Sequence, residues 1–229
     1  MLVNDSYLEV SHMNYHQHNN ILLAEHKSIY LFVPKTGCTS FKTIISQNLG
    51  LDIDYVHHYT WPYALKNEIN SERYKDYFKF TIVRNPWDRA FSAFLSKIKQ
   101  NKNKGGKRMK NGVYMGLANT EAHFYAGMSF KDYLRRLQTI FSEMKDSHFT
   151  TQYSILTDDA GVLLPNFIGR FESLSAHSKE IALKLGWSYD SLPHINKTNS
   201  NFSSYKEAYD NETEQIVREL YKDDIENFG

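Results

Sequence analysis

The stretch Val33-Pro34-Lys35-Thr36-Gly37-Cys38-Thr39-Ser40-Phe41-Lys42 constrains this chain more than any other. It follows an apolar run, Ile29-Tyr30-Leu31-Phe32-Val33, that reads as a buried strand. It leads into Phe41-Lys42-Thr43-Ile44-Ile45, whose apolar residues have helical spacing. A strand, a tight turn with Gly, Thr and Ser, and then a helix build a cradle for an anion. Backbone N–H groups at a helix start lack intrahelical acceptors, and the helix dipole adds positive potential there. Thr36, Thr39 and Ser40 add hydroxyl donors, and Lys35 adds a mobile charge. A Walker A loop needs Gly-Lys-Ser/Thr in that order, whereas here the lysine precedes the glycine. The expectation is a site for a phosphate-like group in a chain that need not be an ATPase.

A second segment sharpens this reading. Phe80-Thr81-Ile82-Val83 is another buried-strand run, followed by Arg84-Asn85-Pro86-Trp87-Asp88-Arg89-Ala90-Phe91-Ser92. Asn85 suits an N-cap, Pro86 the first helical position, and Asp88 the positive end of the dipole. Arg84 then stands at the carboxyl end of a strand, where open α/β sheets bind ligands. Ser92 lies two turns into the helix. The alternative role for Arg84 is a structural ion pair with Asp88, and for Lys35 the solvation of a turn.

Together these motifs resemble the sulfotransferases that use 3'-phosphoadenosine 5'-phosphosulfate. Residues 34–40 look like that superfamily's loop for the 5'-phosphosulfate, and Arg84 with Ser92 look like its pair for the 3'-phosphate. The wording is closest to the carbohydrate, Golgi-type (family 2) branch. Weaker echoes run through His148 to Gln152, through residues 169–174, and from His194 to Gly229, so the resemblance covers most of the chain from about residue 28. It implies a single α/β domain over residues 1–229 with a mostly parallel central sheet flanked by helices, the P-loop-like sulfotransferase fold. Residues 1–27 read as a peripheral segment and 28–229 as the core.

The resemblance also implies chemistry: in-line transfer of a sulfuryl group to a hydroxyl, most simply of a carbohydrate, leaving adenosine 3',5'-bisphosphate. Positioning and electrostatic stabilisation should dominate, by analogy with phosphoryl transfer. Lys35 can meet charge on the leaving oxygen, while Thr36, Gly37, Cys38, Thr39 and Ser40 hold the neighbouring phosphate. Cys38 has the helix-start position that lowers a thiol pKa, but direct transfer needs no covalent intermediate, so it reads as a small residue admitting phosphate to the backbone. A general base must take the acceptor's proton. His57 and His58 end a predicted second strand at 53–58 and point to opposite faces of it. His58 is preferred, with His57 and then His148 as alternatives. Lys197, before the last helix, is the best candidate there for a further phosphate contact. The basic run 101–110 reads as a solvated face that could also grip an anionic acceptor.

Composition narrows the alternatives. A formal charge of +1 argues against a dedicated nucleic-acid binder. One cysteine excludes an intrachain disulfide and a cysteine-rich metal site, and no HExxH-type spacing suggests a metal. No apolar stretch near the N-terminus resembles a signal peptide or a membrane anchor, which points to a cytoplasmic, bacterial enzyme or to a chain trimmed of its anchor. Oligomeric state is not legible. A P-loop nucleotide kinase or NTPase is the second reading, weakened by the missing Gly-Lys-Ser/Thr. A nucleotide-binding module without catalysis is the third. The remaining expected elements are helices at 41–49, 61–74, 85–99, 129–144, 173–185 and 211–227, strands at 77–83 and 166–171, and a mobile loop at 101–111.

Overall fold

The structure is a computed structural model that describes residues 19–99, 109–110, 112–189, 191 and 203–229. Its central sheet has four strands: β1 (Asn20–Leu23), β2 (Ser28–Leu31), β3 (Phe78–Val83) and, far along the chain, β6 (Phe167–Arg170). β1 runs antiparallel to β2, while β2, β3 and β6 are mutually parallel, with Tyr30 opposite Phe80 and Val83 opposite Arg170. Parallel order puts the carboxyl ends of β2, β3 and β6 on one edge. The helices lie between and after the strands: α1 (Cys38–Asn48), α2 (Pro86–Phe94), α3 (Met115–Ala118), α4 (Phe130–Ile140), α5 (Gln152–Leu156), α6 (Leu174–Lys184), α7 (Asn211–Leu220) and α8 (Lys222–Phe228). A two-stranded ribbon, β4 (Met109–Lys110) with β5 (Val113–Tyr114), precedes α3. This is the single-domain, mostly parallel α/β sheet that the sequence implies.

Strand alternation sorts the core. Ile29, Leu31 and Val33 pack on one face with Ala64, Ile69, Leu156 and Phe228. Tyr30, Phe80 and Ile82 pack on the other with Phe41, Ile44, Ile45 and Ile181. Burial on both faces is why β2 and β3 read as unbroken apolar runs. A third cluster, in which Phe91 and Phe94 of α2 meet Tyr133, Leu134, Ile216 and Val217, joins α2, α4 and α7. At the packing density of about 0.75 usual for protein interiors, such a core makes each large side chain's loss felt.

Several expected elements differ. The peripheral segment 1–27 contains β1, whose Asn20–Leu23 register along β2 makes it an edge strand, as is natural for a short apolar run flanked by polar residues. Residues 53–58 form no strand: the backbone turns, with His58 N donating to Tyr55 O at 2.9 Å. Residues 61–74 form no α-helix either, apart from short 3₁₀ turns at Lys66–Glu68 and Glu72–Tyr74. Their backbone is spent on β1, since Leu22 N donates to Pro62 O and Ala64 N donates to Asn20 O. The last helix is two, broken at Tyr221, whose hydroxyl donates to Phe149 O inside the core. The break turns α8 so that Asp224 accepts from the amides of Gln152 and Tyr153, capping α5. Most of the loop 101–111 lies outside the described residues, and Met109–Lys110 pairs as β4. Ser129 caps α4 as expected, accepting from Asp132 N at 3.0 Å, and Gly186 closes the turn after α6 with a φ of 70°. Among the described residues no helix is long and apolar enough to cross a membrane.

Candidate active site

The turn between β2 and α1 begins the site. Thr36, fully buried, donates its hydroxyl proton to Val33 O at 2.8 Å. That hydroxyl therefore braces the loop instead of presenting a donor to a ligand. Lys35 adopts φ 75° and Gly37 φ 82°, so two of three consecutive residues are left-handed. For a non-glycine residue this costs about 1–2 kcal/mol. What holds Lys35 there is visible: its carbonyl accepts from Arg84 Nη1 at 2.9 Å, and the Pro34 carbonyl accepts from Arg89 Nε at 3.1 Å. A Cβ on Gly37 would stand 2.8 Å from Leu174 Cδ2, so glycine is also required for space. Gly37 caps α1 without a side-chain bond, and the first bond across the helix start is Phe41 N to Gly37 O. The amides of Cys38, Thr39 and Ser40 precede it, which is the anion-binding end of a helix.

Arg84 follows β3 and reaches the same loop. Its Nε pairs with Asp88 Oδ2 at 2.8 Å, and its guanidinium lies 4.1 Å over the Phe171 ring. The Asp88 ion pair is therefore real, and it aims the guanidinium. Gln152 clamps the Arg84 backbone on both sides, accepting from its N–H at 2.9 Å and donating to its carbonyl at 2.8 Å. From the turn after β6, Glu172 accepts from Asn85 N at 2.7 Å. Three strand ends are thus fastened to one another at the sheet edge. Ser92 lies buried in α2, and Asn85 caps that helix by accepting from Asp88 N.

Charge collects here. Burial is the main cause that lowers the Lys35 ammonium to about 8, and the cations Lys97, Arg84 and Arg89 add to it while the Cys38 thiol opposes it. A half-buried lysine among cations marks a place suited to an anion. His57 Nε2 lies 2.7 Å from Thr39 Oγ1, so the histidine stands on the first turn of α1. His58 is exposed and packs its ring against Tyr55. The structure thus brings His57 to the start of α1 and leaves His58 outside, because the segment turns where a strand was expected. His148 bonds through Nδ1 to Asp146 Oδ1 at 2.7 Å. Burial lowers it to about 3, with Lys97 and Lys35 pushing the same way against the help of Asp146, so its ring stays neutral at ordinary pH. Lys197 lies outside the described residues.

The profile of the sulfotransferase family matches residues 19–229, all of the described chain. This chain belongs to the sulfotransferase family. Among its relatives, carbohydrate sulfotransferase 14 of Danio rerio is 25% identical over 173 residues, covering 71% of this chain and 47% of that protein. The Homo sapiens carbohydrate sulfotransferase 14 is 24% identical over 188 residues, 77% of this chain and 48% of that protein. The chain spans about half the length of these curated relatives. No solved structure matches it.

Sequence reasoning missed three residues that stand at or beside this candidate site. Arg89, 2% exposed, gives Nη1 to Thr150 O and Nη2 to Ser147 O, each at 2.8 Å, besides its bond to Pro34. Its place in the Arg-Asn-Pro-Trp-Asp-Arg motif was the only signal. Lys97 carried none, standing beyond the motif at the end of a helix. Tyr205, before α7, comes close enough to Asp88, Glu172 and Arg84 for all three to act on its hydroxyl, which burial chiefly raises.

Proposed function

We propose that the chain transfers a sulfuryl group from 3'-phosphoadenosine 5'-phosphosulfate to a hydroxyl of a carbohydrate acceptor. One observation carries this reading: Arg84 Nη1 is bonded to the Lys35 carbonyl, so the two sequence motifs meet at a single uncapped helix start. The donor set fits the nucleotide, with amides, Thr39 and Lys35 for the phosphosulfate and Arg84 with Ser92 for the 3'-phosphate. When bound, the donor supplies a sulfonate whose bond to the phosphate oxygen breaks, with its electron pair, as the acceptor oxygen bonds to sulfur. Lys35 is placed to meet the charge left on that oxygen, and interactions stronger in the transition state than before it are what accelerate the step.

His57 takes the acceptor's proton in this reading. With Nε2–H donating to Thr39 Oγ1, the basic lone pair sits on Nδ1, and Thr39 keeps its own proton for a phosphate oxygen. His148 is a poorer base because a ring with so low an affinity for protons draws them weakly. Its bond to Asp146 fixes its orientation and gives it a positioning role. The carbohydrate acceptor is supported by what the similar proteins are named for.

Two measurements test this. Calorimetry should show adenosine 3',5'-bisphosphate binding at least tenfold better than AMP, since one charge-assisted phosphate contact is worth roughly 1.5–3 kcal/mol. Arg84→Ala should erase most of that preference; equal affinity for the two nucleotides would sink the assignment. A labelled-donor screen over glycan, phenol and amine acceptors then identifies the hydroxyl, and label appearing only on amines or phenols would overturn the carbohydrate reading.

A further inference from the structure

Residues 55–63 carry six rings in nine positions: Tyr55, His57, His58, Tyr59, Trp61 and Tyr63. The segment is irregular, yet it is fastened at several points. Val56 is buried, and its carbonyl accepts from Trp61 Nε1 at 2.9 Å. Tyr55 O accepts from His58 N, Pro62 O accepts from Leu22 N, and Tyr63 bridges to Ile21 of β1. Held this way, the backbone nevertheless leaves the rings of Tyr55 and Tyr59 outside the core, 45% and 36% exposed. Burying an aromatic ring is among the larger single contributions to a fold, and this turn forgoes it twice.

Single exposed apolar side chains are common; what distinguishes Tyr55 is its place. Its ring centroid lies 5.2 Å from that of His57 and 4.9 Å from that of His58. His57 in turn is bonded to Thr39 on the first turn of α1. Tyr55 is therefore one imidazole away from the uncapped helix start. The His57 ring is inclined to it by 51° and the His58 ring by 79°, so neither lies flat on the phenol and covers a whole face. Tyr59 leans instead on Trp61, with centroids 4.8 Å apart. A flat surface thus stands in solvent beside the histidine read above as the base. The face of an aromatic ring carries negative potential and favours C–H groups over carboxylate or sulfate. A pyranose has such a face: its hydroxyls spread round the rim, and its C–H groups collect above and below the ring. Tyrosine offers the contact with few rotatable bonds to immobilise.

We propose that Tyr55 is the acceptor's stacking platform, whose ring takes the C–H face of a pyranose and so presents a rim hydroxyl to His57. This rests on the sulfuryl-transfer reading above and narrows its acceptor to a sugar in cyclic form. The ring of Tyr55 is the recognising element and its hydroxyl is not. An open-chain alditol offers the same hydroxyls without the flat apolar face, and the platform discriminates against it.

Three substitutions test it, all at a side chain outside the core. Tyr55→Phe keeps the ring, Tyr55→Leu keeps an apolar side chain without a flat face, and Tyr55→Ala removes both. With saturating donor and the glycan found in the labelled-donor screen, acceptor KM should rise about 5–50-fold in Tyr55→Leu and Tyr55→Ala, the range for losing one ring-face contact. In Tyr55→Phe it should stay within about twofold, and kcat and bisphosphate affinity should hold in all three, the pattern for a contact made equally before and in the transition state. Saturation-transfer NMR reads binding apart from turnover, with adenosine 3',5'-bisphosphate bound and with methyl β-D-galactopyranoside, methyl β-D-glucopyranoside and sorbitol as probes. The C–H protons of at least one pyranoside should take saturation from the unsubstituted chain and from Tyr55→Phe, and lose it with Tyr55→Ala; sorbitol should take little from any. Unchanged acceptor KM in Tyr55→Ala overturns the proposal, as does sorbitol saturated like the pyranosides. A fall in kcat at constant KM overturns it too and makes Tyr55 a support for His57, while lost bisphosphate affinity gives the ring to the donor's adenine instead. If the unsubstituted chain binds no bisphosphate or labels no glycan, the sulfuryl-transfer reading falls first; if it does both and Tyr55→Ala keeps its KM, only the role of Tyr55 falls.

Discussion

The pH dependence of nucleotide binding is the most direct probe of the phosphate loop. In the free protein Lys35 is lowered to about 8, mainly by burial. A phosphate placed beside it favours the ammonium, so the bound state holds the proton to higher pH than the free state does. Affinity is therefore complete below about pH 8 and declines as the pH rises through that value. With a midpoint at about 8, roughly ten-elevenths of the free lysines are protonated at pH 7 and about one-eleventh at pH 9, so affinity should drop about tenfold, or about 1.4 kcal/mol. At pH 8.5 binding should take up about three-quarters of a proton. Calorimetry with adenosine 3',5'-bisphosphate in buffers of different ionisation enthalpy reads both quantities. Phosphate monoesters have their second pKa near 6, so the ligand contributes little slope above pH 7. Lys35→Met should bind more weakly at pH 7 and show no alkaline limb. Affinity flat from pH 7 to 9.5, with no proton uptake, would refute the placement of Lys35 against the phosphate.

Two further outcomes follow from the same geometry. His57→Ala should lower turnover about 10²–10⁴-fold with little change in bisphosphate affinity, the pattern for loss of a general base, whereas His58→Ala should leave turnover within a few-fold; steady-state rates with the two values reversed would return the base to His58. Gly37→Ala should destabilise the fold by about 1–3 kcal/mol, from the left-handed backbone and the required shift of Leu174, and an unchanged melting temperature would show that the loop relaxes without cost.

Much of the sheet edge was legible because its signals are local. The strands before Pro34 and Arg84 are buried on both faces and read as apolar runs, and the caps at Asn85 and Ser129 depend on residues three positions away. The segment 53–74 was misread because its backbone partners lie elsewhere: the amide of Leu22 and the carbonyl of Asn20 take what a helix would have used internally. That misreading carried over to the site. A strand at 53–58 would leave the choice between His57 and His58 to the pleat, whereas the turn seats His57 on Thr39. The break at Tyr221 was equally hidden, since the apolar spacing of 211–227 runs through it and only the buried contact to Phe149 interrupts the helix. Lys97 gave no signal, because a lysine near a helix end normally faces water.

Arg89 sets a rule for how this sequence can change over generations. Its guanidinium is the shared partner of carbonyls from Pro34, Ser147 and Thr150, which belong to segments more than a hundred residues apart in the chain. Leaving a buried acceptor unmatched costs about 1–3 kcal/mol, so losing all three approaches the 5–15 kcal/mol by which a domain is stable at all. Lysine cannot stand in, since a single ammonium lacks the planar fork that reaches three acceptors at fixed angles. A lineage can therefore leave arginine at this position only after other residues have supplied partners for the loop and for the segment that carries His148. The order of substitutions is thereby constrained: compensation must come first, and drift at position 89 must wait for it.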